Sequence, residues 1–412
     1  MLLKIEIENF FSIKERITLD FRAGNINTTK SRELTSNVIE WNGQKVLKTI
    51  GLFGPNASGK SNIAKAIDFC CRMILESHLH NENTVFGFSP FKFDGWDTKP
   101  SSFLVCFVCD NIEYEYSYSL TRTEILSESL YYYPNRRRAK VFARQGDKYT
   151  YGEGLIARPK DVEINTSRKN LFLSRASSMN RDFAKRIFTY FSTQFILGIV
   201  PLNSNLAEQL FTRYKPVILE ALSVCDSDIS DIHLRKTKGQ RWSVSSDGIN
   251  PETSIKEIDI VEFVTIHRSL SEVKFNMAAE ESAGTRQLFG VLLLLLDMAK
   301  YNKSLMLDEF DISLHPLLAD FIIDFVHASE CSQLLFSTHN TNLIDTNRLR
   351  KDQILFVNKK SDGSTEVYSL YDFKDFRDNM DAEKSYKQGR FDAVPIVGSS
   401  VQNLKKLLED CK

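Results

Sequence analysis

The sequence predicts an α/β protein: a mixed sheet covered by helices, an antiparallel β subdomain, a mainly helical insertion and no long coiled coil. Three observations predict it. The β-branched and apolar run at 46–53 (VLKTIGLF) ends in a Gly/Pro/Asn/Ser turn, then leads into a segment with Ile63, Ala64, Ile67 and Phe69 at helical spacing. After residue 255 strand-like and helix-like segments alternate, the pattern of a parallel or mixed sheet with helices on its faces. Between about 86 and 155 the chain instead shows short strands, most plainly the alternation EYEYSY at 113–118.

Taken in order, Leu3, Ile5 and Ile7 alternate with polar residues, and Ile13, Ile17, Leu19 and Phe21 follow, so the chain opens on a β-hairpin. Further strands are expected at 103–108, 113–118, 131–133 and 148–151. From 168 to 224 the spacing is helical, with Phe183, Ile187 and Phe191 on one face and Leu206, Leu210 and Tyr214 on another. Pro216 kinks or ends the second of these helices. Strands at 258–266, 304–307 and 333–337 then alternate with helices at 287–300 and 317–327, the last opened by His315-Pro316. The expected partition is a core unit from 1–85 and 255–412, an antiparallel β subdomain at 86–160, and a mainly helical insertion at 161–254. No heptad pattern is sustained and no internal repeat stands out.

Composition narrows the class. The 412 residues carry 53 Lys+Arg against 53 Asp+Glu, which argues against a protein that coats nucleic acid or an anionic membrane by charge alone. Hydrophobic residues at 42% and charged residues at 26% are ordinary globular values. Glu6 and Glu8 stand where a signal peptide needs apolar residues, and the longest apolar run, 288–296, stops at Asp297, too short to span a membrane. Seven cysteines, an odd number, fit free thiols in a reducing cytoplasm. Cys106 and Cys109 form a C-x-x-C without a second ligand pair, so zinc is not expected, and Cys70 and Cys71 read as core.

The chemistry gathers in three places. Residues 54–61, GPNASGKS, fit G-x-x-x-x-G-K-[ST] between an expected strand and an expected helix. The glycines let backbone N–H groups of Asn56, Ser58 and Gly59 turn toward phosphate oxygens, Lys60 reaches the β/γ-phosphates, and the Ser61 hydroxyl ligates Mg²⁺. The strand at 304–307 ends in Asp308 and Glu309, one acid to hold Mg²⁺ and one to polarise an attacking water. His339 follows a second buried strand, LLFS, where a histidine can report on an intact γ-phosphate; alone it reads as a surface loop residue.

Together these residues, Walker A at 54–61, Walker B with Glu309 and the His339 switch, resemble the ABC-type ATPase heads of the Rad50, SMC and RecF kind. The opening KIEIENFFSI is similar to the first strand of those heads. EESAGTR at 280–286, DEFDISLHP at 308–316 and YKQGRFDAVP at 386–395 resemble the AAA15/AAA21 group of bacterial ATPases. That group includes RloA- and AbiLii-like proteins, PtuA of Septu, AriA of PARIS and the ATPase half of OLD nucleases. The resemblance implies a P-loop NTPase of ABC-head type and a head-to-tail homo-oligomer, at least a dimer, with ATP and Mg²⁺ sandwiched between subunits. It implies that Lys60 and Ser61 face Ser282 and Gly284 of the second subunit, with Glu309 as base, Asp311 communicating across the interface and His339 as switch. Ala283 and Thr285 depart from the transporter consensus, and no glutamine is assigned to the Mg²⁺-sensing loop.

Between Ser61 and Glu280 the sequence holds strands and short helices rather than a Rad50-like tether, and no D-x-D follows His339, so no C-terminal nuclease of the OLD type is expected. The leading functional reading is a cytoplasmic antiphage sensor or scaffold that controls a separately encoded effector such as a nuclease and responds to a phage component. The alternative is a DNA-repair ATPase of the RecF kind, gripping DNA through Arg136, Arg137, Arg138, Lys140 and Arg144 beside Tyr131–Tyr133; the same charge run reads as a solvated hairpin tip. A transporter subunit fits the signature and the strand-rich insertion poorly. His267 and Arg268 follow a strand and receive no role.

Overall fold

A computed structural model describes residues 1–198, 204–223, 228–246, 251–312 and 314–394. The alternation of Leu3, Ile5 and Ile7 makes β1 (Leu2–Glu8), with those residues buried and Lys4, Glu6 and Glu8 on the wetter face. β2 (Ile17–Asp20) returns antiparallel beside it with Leu19 opposite Ile5, the expected hairpin. α1 (Thr29–Glu33) and the small hairpin of β3 (Val38–Trp41) and β4 (Gln44–Leu47) follow. The run expected as one strand at 46–53 divides at Lys48, because β4 pairs with β3 while β5 (Thr49–Phe53) enters a different sheet.

After β5 comes α2 (Lys60–Glu76), then a meander of β6 (Ser101–Cys109), β7 (Ile112–Leu120), β8 (Ile125–Tyr132), β9 (Ala139–Gln145) and β10 (Lys148–Tyr151). α3 (Lys160–Ile164), α4 (Phe172–Ser178) and α5 (Asp182–Thr189) lead to β11 (Phe195–Leu197) and α6 (Ser204–Ser223). α6 runs on through Pro216 and departs from helical geometry at Tyr214, so the proline kinks the helix rather than ending it. β12 (Ile229–Ser246) and β13 (Pro251–His267) form a long two-stranded ribbon, joined at its base by β14 (Lys274–Asn276). The chain continues through α7 (Ala283–Tyr301), β15 (Ser304–Leu307), α8 (Pro316–Ala328), β16 (Gln333–Thr338), β17 (Ile354–Lys359), β18 (Thr365–Ser369) and α9 (Ala382–Lys387). His315 caps α8 and Pro316 occupies its first turn, as the sequence indicated.

Two sheets carry the architecture. One runs β10-β9-β8-β7-β6-β1-β2 and is antiparallel; the other runs β11-β15-β16-β5-β17-β18, parallel except at its β17–β18 edge. Ile63, Ile67, Cys70 and Ile74 of α2 share one core with Leu3 and Phe103 of the antiparallel sheet and with Ile50 and Leu52 of β5, so α2 is held between the sheets. On the opposite face, Leu294 and Met298 of α7 with Ile322 and Val326 of α8 cover Leu305, Leu307, Leu334 and Phe336. Strands buried on both faces read as continuous apolar runs, which is why 304–307 and 333–337 were legible.

Two expectations need correction. The partition at residue 86 does not hold for the hairpin at the start of the chain: β1 pairs with β6, Ile5 opposite Val105, and belongs to the antiparallel sheet. The mainly helical insertion also contains β11, which pairs in parallel with β15, and the 18-residue β12. The partners of β1 and β11 lie far away in sequence, where local periodicity carries no signal, whereas β12 pairs with the strand that follows it. Pro395, which closes the YKQGRFDAVP segment, and Ser313 within DEFDISLHP lie outside the described residues, as does 395–412 of the expected core unit.

One buried carboxylate fixes the helices to the antiparallel sheet. Glu128 on β8 is 1% exposed. It accepts hydrogen bonds from Tyr116 Oη at 2.8 Å, Phe172 N at 2.6 Å and Leu173 N at 2.9 Å, with Arg144 Nη1 at 3.9 Å. Burial holds its pKa above the usual carboxylate range, against the pull of Arg144 and the three donors. Replacing Glu128 with Ala strands Arg144 and two amide groups at the start of α4, so denaturant unfolding is expected to show a loss of about 3–5 kcal/mol.

Candidate nucleotide-binding site

The loop at 54–59 leaves the C-terminal end of β5, between β16 and β17, and turns into α2. A Cβ on Gly54 would stand 2.1 Å from Val357 O, and one on Gly59 2.0 Å from Thr365 Oγ1. Gly59 also has φ +115°, so both positions require glycine for the loop to lie against β17 and β18. Gly59 caps α2 without a side chain, leaving the first amides of a 17-residue helix directed at the loop. Ser58 Oγ is buried there, with no hydrogen-bond partner among the described residues. An orphaned hydroxyl and uncapped amides in a glycine cradle suit a chain of phosphates.

Lys60 is 5% exposed and folds its ammonium onto the loop, donating to Gly54 O at 2.7 Å and Pro55 O at 3.1 Å. Desolvation lowers its pKa to about 8, opposed by the nearby charges of Glu309 and Asp308. Ser61 sits in the first turn of α2 and Asn56 is exposed at the tip of the loop.

Asp308 and Glu309 follow β15, and the end of β16 organises them. Ser337 Oγ donates to Asp308 Oδ1 and accepts from Glu309 N at 2.8 Å. Thr338 Oγ1 donates to Asp311 Oδ2 at 2.6 Å. Glu309 adopts φ 48°, a left-handed conformation unusual for glutamate. His339 Nε2 lies 3.7 Å from Glu309 Oε1. Its pKa is lowered, first by partial burial and then by Lys60, against the opposing charges of Glu309 and Asp311. Lys60, Asp308, Glu309 and His339 therefore share one electrostatic site. Ser61 and Asp308 offer the hard oxygen donors that Mg²⁺ prefers.

The signature residues stand at the start of another helix. Ser282 caps α7, its Oγ accepting from Thr285 N at 3.1 Å, and Gly284 lies in that helix's first turn. Among the described residues no hydrogen bond or ion pair joins Ser282 or Gly284 to the loop at 54–61. Gln287, one turn further, donates from Nε2 to Phe310 O at 3.0 Å and ties α7 to the segment after β15.

Sequence reasoning missed a hydroxyl and amide cluster beside the loop. Ser12 Oγ lies 2.7 Å from Thr365 Oγ1 and accepts from Asn62 Nδ2 at 2.7 Å, while Thr365 Oγ1 also lies 2.9 Å from Ser58 O. Ser12 and Thr365 come from opposite ends of the chain, so only the fold brings them together. The loop at 86–100, tied to Phe11 through Ser89 O, contains no glutamine.

Residues 50–345 match the AAA_21 family, described as "AAA domain, putative AbiEii toxin, Type IV TA system". The chain belongs to the AAA_21 family. The matched span runs from β5 past β16 and contains the loop, both acids, the signature residues and His339. No curated protein matches the chain significantly.

Solved structures similar to this AAA_21 chain include an SMC head bound to the C-terminal winged-helix domain of ScpA, at 14% identity and TM-score 0.41, covering 94% of this chain and 99% of that one. The SMC head domain from Thermotoga maritima aligns at 14% identity and TM-score 0.39, over 89% and 98% of the two chains. An Smc head with an extended coiled coil, bound to the C-terminal domain of ScpA derived from Pyrococcus furiosus, aligns at 15% identity and TM-score 0.40, over 94% and 98%.

The low pKa of Lys60 predicts a pH signature for this AAA_21 protein. Bound phosphates stabilise the ammonium and raise its pKa, so affinity for ATP should be level below about pH 8 and fall as the free lysine deprotonates above it. Calorimetry at pH 8 to 9 in buffers of different ionisation enthalpy should show proton uptake on binding, absent in Lys60→Arg.

Proposed function

We propose that this protein is an ATP-driven switch in a bacterial antiphage system, whose ATP-bound homo-oligomer holds or releases a separately encoded effector in response to a phage component. The observation that carries the switch is the convergence of Lys60, Asp308, Glu309 and His339 at one end of the parallel sheet, with Ser282 and Gly284 presented on a separate helix start. A site divided in this way is completed by a second copy. The family description, which names a toxin and a type IV toxin–antitoxin system, supports the defence setting. The proposed compartment is the cytoplasm. Among the described residues no helix is long and apolar enough to cross a membrane.

In this reading the amides of residues 56–60 and the Lys60 ammonium hold the β- and γ-phosphates. Ser61 and Asp308 hold Mg²⁺, which when bound neutralises charge on the phosphate oxygens. Glu309 takes a proton from the water that attacks the γ-phosphorus, and the β–γ bridging oxygen leaves with ADP. His339 hydrogen-bonds the γ-phosphate only while it is attached. Ser282 Oγ and the Gly284 N–H of the second copy close over the same phosphate, and Asp311 lies at the join between copies.

Glu309→Gln keeps the shape of the site and removes the base. Hydrolysis should fall on the order of 10²- to 10⁴-fold. Mass photometry with ATP should then show the 47.3 kDa protein accumulating as a dimer or larger assembly. No ATP-dependent assembly in either protein would sink the switch.

A further inference from the structure

The loop before α7 is anchored to the base of the β12–β13 ribbon through a buried carboxylate. Glu281 is 8% exposed, and its Oε1 accepts a hydrogen bond from Thr265 Oγ1, itself fully buried on β13. The same oxygen lies 2.9 Å from Nε2 of His267, the last residue of β13. The other ring nitrogen, Nδ1, is 3.3 Å from Asp228 Oδ2 just before β12, and Phe275 packs edge-on against the imidazole at 5.0 Å. His267 thus sits between carboxylates of the two segments that the ribbon joins.

The rest of the loop is fixed from the same side. Asn276 Oδ1 accepts from Ala278 N at 2.9 Å and Ala279 N at 3.2 Å, and Arg286 Nη1 reaches back from α7 to Ala278 O at 2.9 Å. Ser282 follows Glu281 directly, so its Cα is held one peptide, about 3.8 Å, from an anchored residue. A buried carboxylate is a poor source of net stability, since its desolvation offsets what its partners return. Its directional bonds do fix geometry, and the geometry here is that of the residue that caps α7.

We infer that His267 and Glu281 are positioning residues: they clamp the signature loop to the ribbon and set where Ser282 and Gly284 stand when a second copy closes over the γ-phosphate. The inference rests on the ATP-sandwich reading above. It also gives the ribbon a mechanical connection to the site. Strands of 17 and 18 residues span roughly 55–60 Å, and the clamp stands at their base.

The test uses the full chain with His267→Ala, Glu281→Ala, Glu281→Gln and Ser282→Ala, each alone and with Glu309→Gln. Three quantities are read: fluorescent MANT-ATP binding to the monomer, ATP-dependent dimer by mass photometry, and kcat against KM. Both alanine variants of the clamp should bind MANT-ATP as the parent does, yet lose about 10- to 100-fold in kcat and in dimer formation. Glu281→Gln keeps the acceptor oxygen and should restore most of both. If the clamp variants dimerise and turn over normally while Ser282→Ala does not, the clamp is wrong and the sandwich stands. Should Ser282→Ala also behave as the parent, the sandwich reading fails and takes the clamp with it. Loss of MANT-ATP binding in the clamp variants, or no rescue by glutamine, marks a merely structural role and overturns the proposal.

Discussion

The structure depends on how closely the backbone at 54–59 approaches the neighbouring strands. The Val357 carbonyl and the Thr365 hydroxyl occupy the space where side chains at Gly54 and Gly59 would go. That approach requires β5 to lie beside β17, which in turn requires the parallel order β15-β16-β5-β17. It also directs the start of α2 at the loop, where Gly59 supplies no side-chain cap. With the loop pinned by Thr365 through Ser58 O and by Ser12 through Thr365, the ammonium of Lys60 has the loop's own carbonyls as its resting partners. Phosphate binding then exchanges carbonyl contacts for stronger ones to an anion, without rebuilding the site.

The end of β16 performs the complementary task. Ser337 and Thr338 each hold a member of the acidic segment, and Ser337 also bonds the amide of Glu309 in its left-handed conformation. Such a conformation costs on the order of 1–3 kcal/mol and persists only where the surroundings enforce it. The enforcement places Glu309 beside His339 and within the field of Lys60, so the groups read as base and switch are positioned by hydroxyls one or two residues away from His339. Adjacent parallel strands end at the same level of the sheet, and this is what lets residues from 54–61, 308–311 and 337–339 meet.

The parts legible in the sequence were those whose physics is local. The glycine loop has a fixed spacing, the buried strands at 304–307 and 333–337 are apolar throughout because both their faces are covered, and His315-Pro316 carries its own helix-start chemistry. The parts that were not legible depend on partners distant in the chain. Nothing in LLKIEIE names SSFLVCF as its neighbour, and one hairpin serves equally well in either sheet until β6 is placed beside β1. Of the ribbon, the expected strand at 258–266 falls within β13, and β12 escaped because of its charged positions. β12 mixes Arg235, Lys236 and Lys238 with its apolar positions, and their partners, Glu262, Glu208 and Glu257, are supplied by β13 and α6. Glu281 received no role of its own from the sequence, because its partners Thr265 and His267 lie across the ribbon's base.

The same long-range pairing bears on the choice of partner. The basic run near 136–144 suggests a phosphate grip when seen as sequence, yet most of its charge is already engaged. Arg138 bonds Glu115 and lies over the Tyr131 ring at 3.5 Å from guanidinium to centroid. Arg136 is held by the Asn42 carbonyl, and Arg144 is buried against Glu128 and donates to the carbonyls of Gly146 and Asn170. Turning Arg138 toward DNA would forfeit a charge-assisted hydrogen bond and a cation–π contact, for one exposed phosphate contact screened by salt. Arg144 would have to leave the interior altogether. The hairpin tip is therefore built to hold itself together, and the balance of 53 Lys+Arg against 53 Asp+Glu supplies no overall positive charge to replace it.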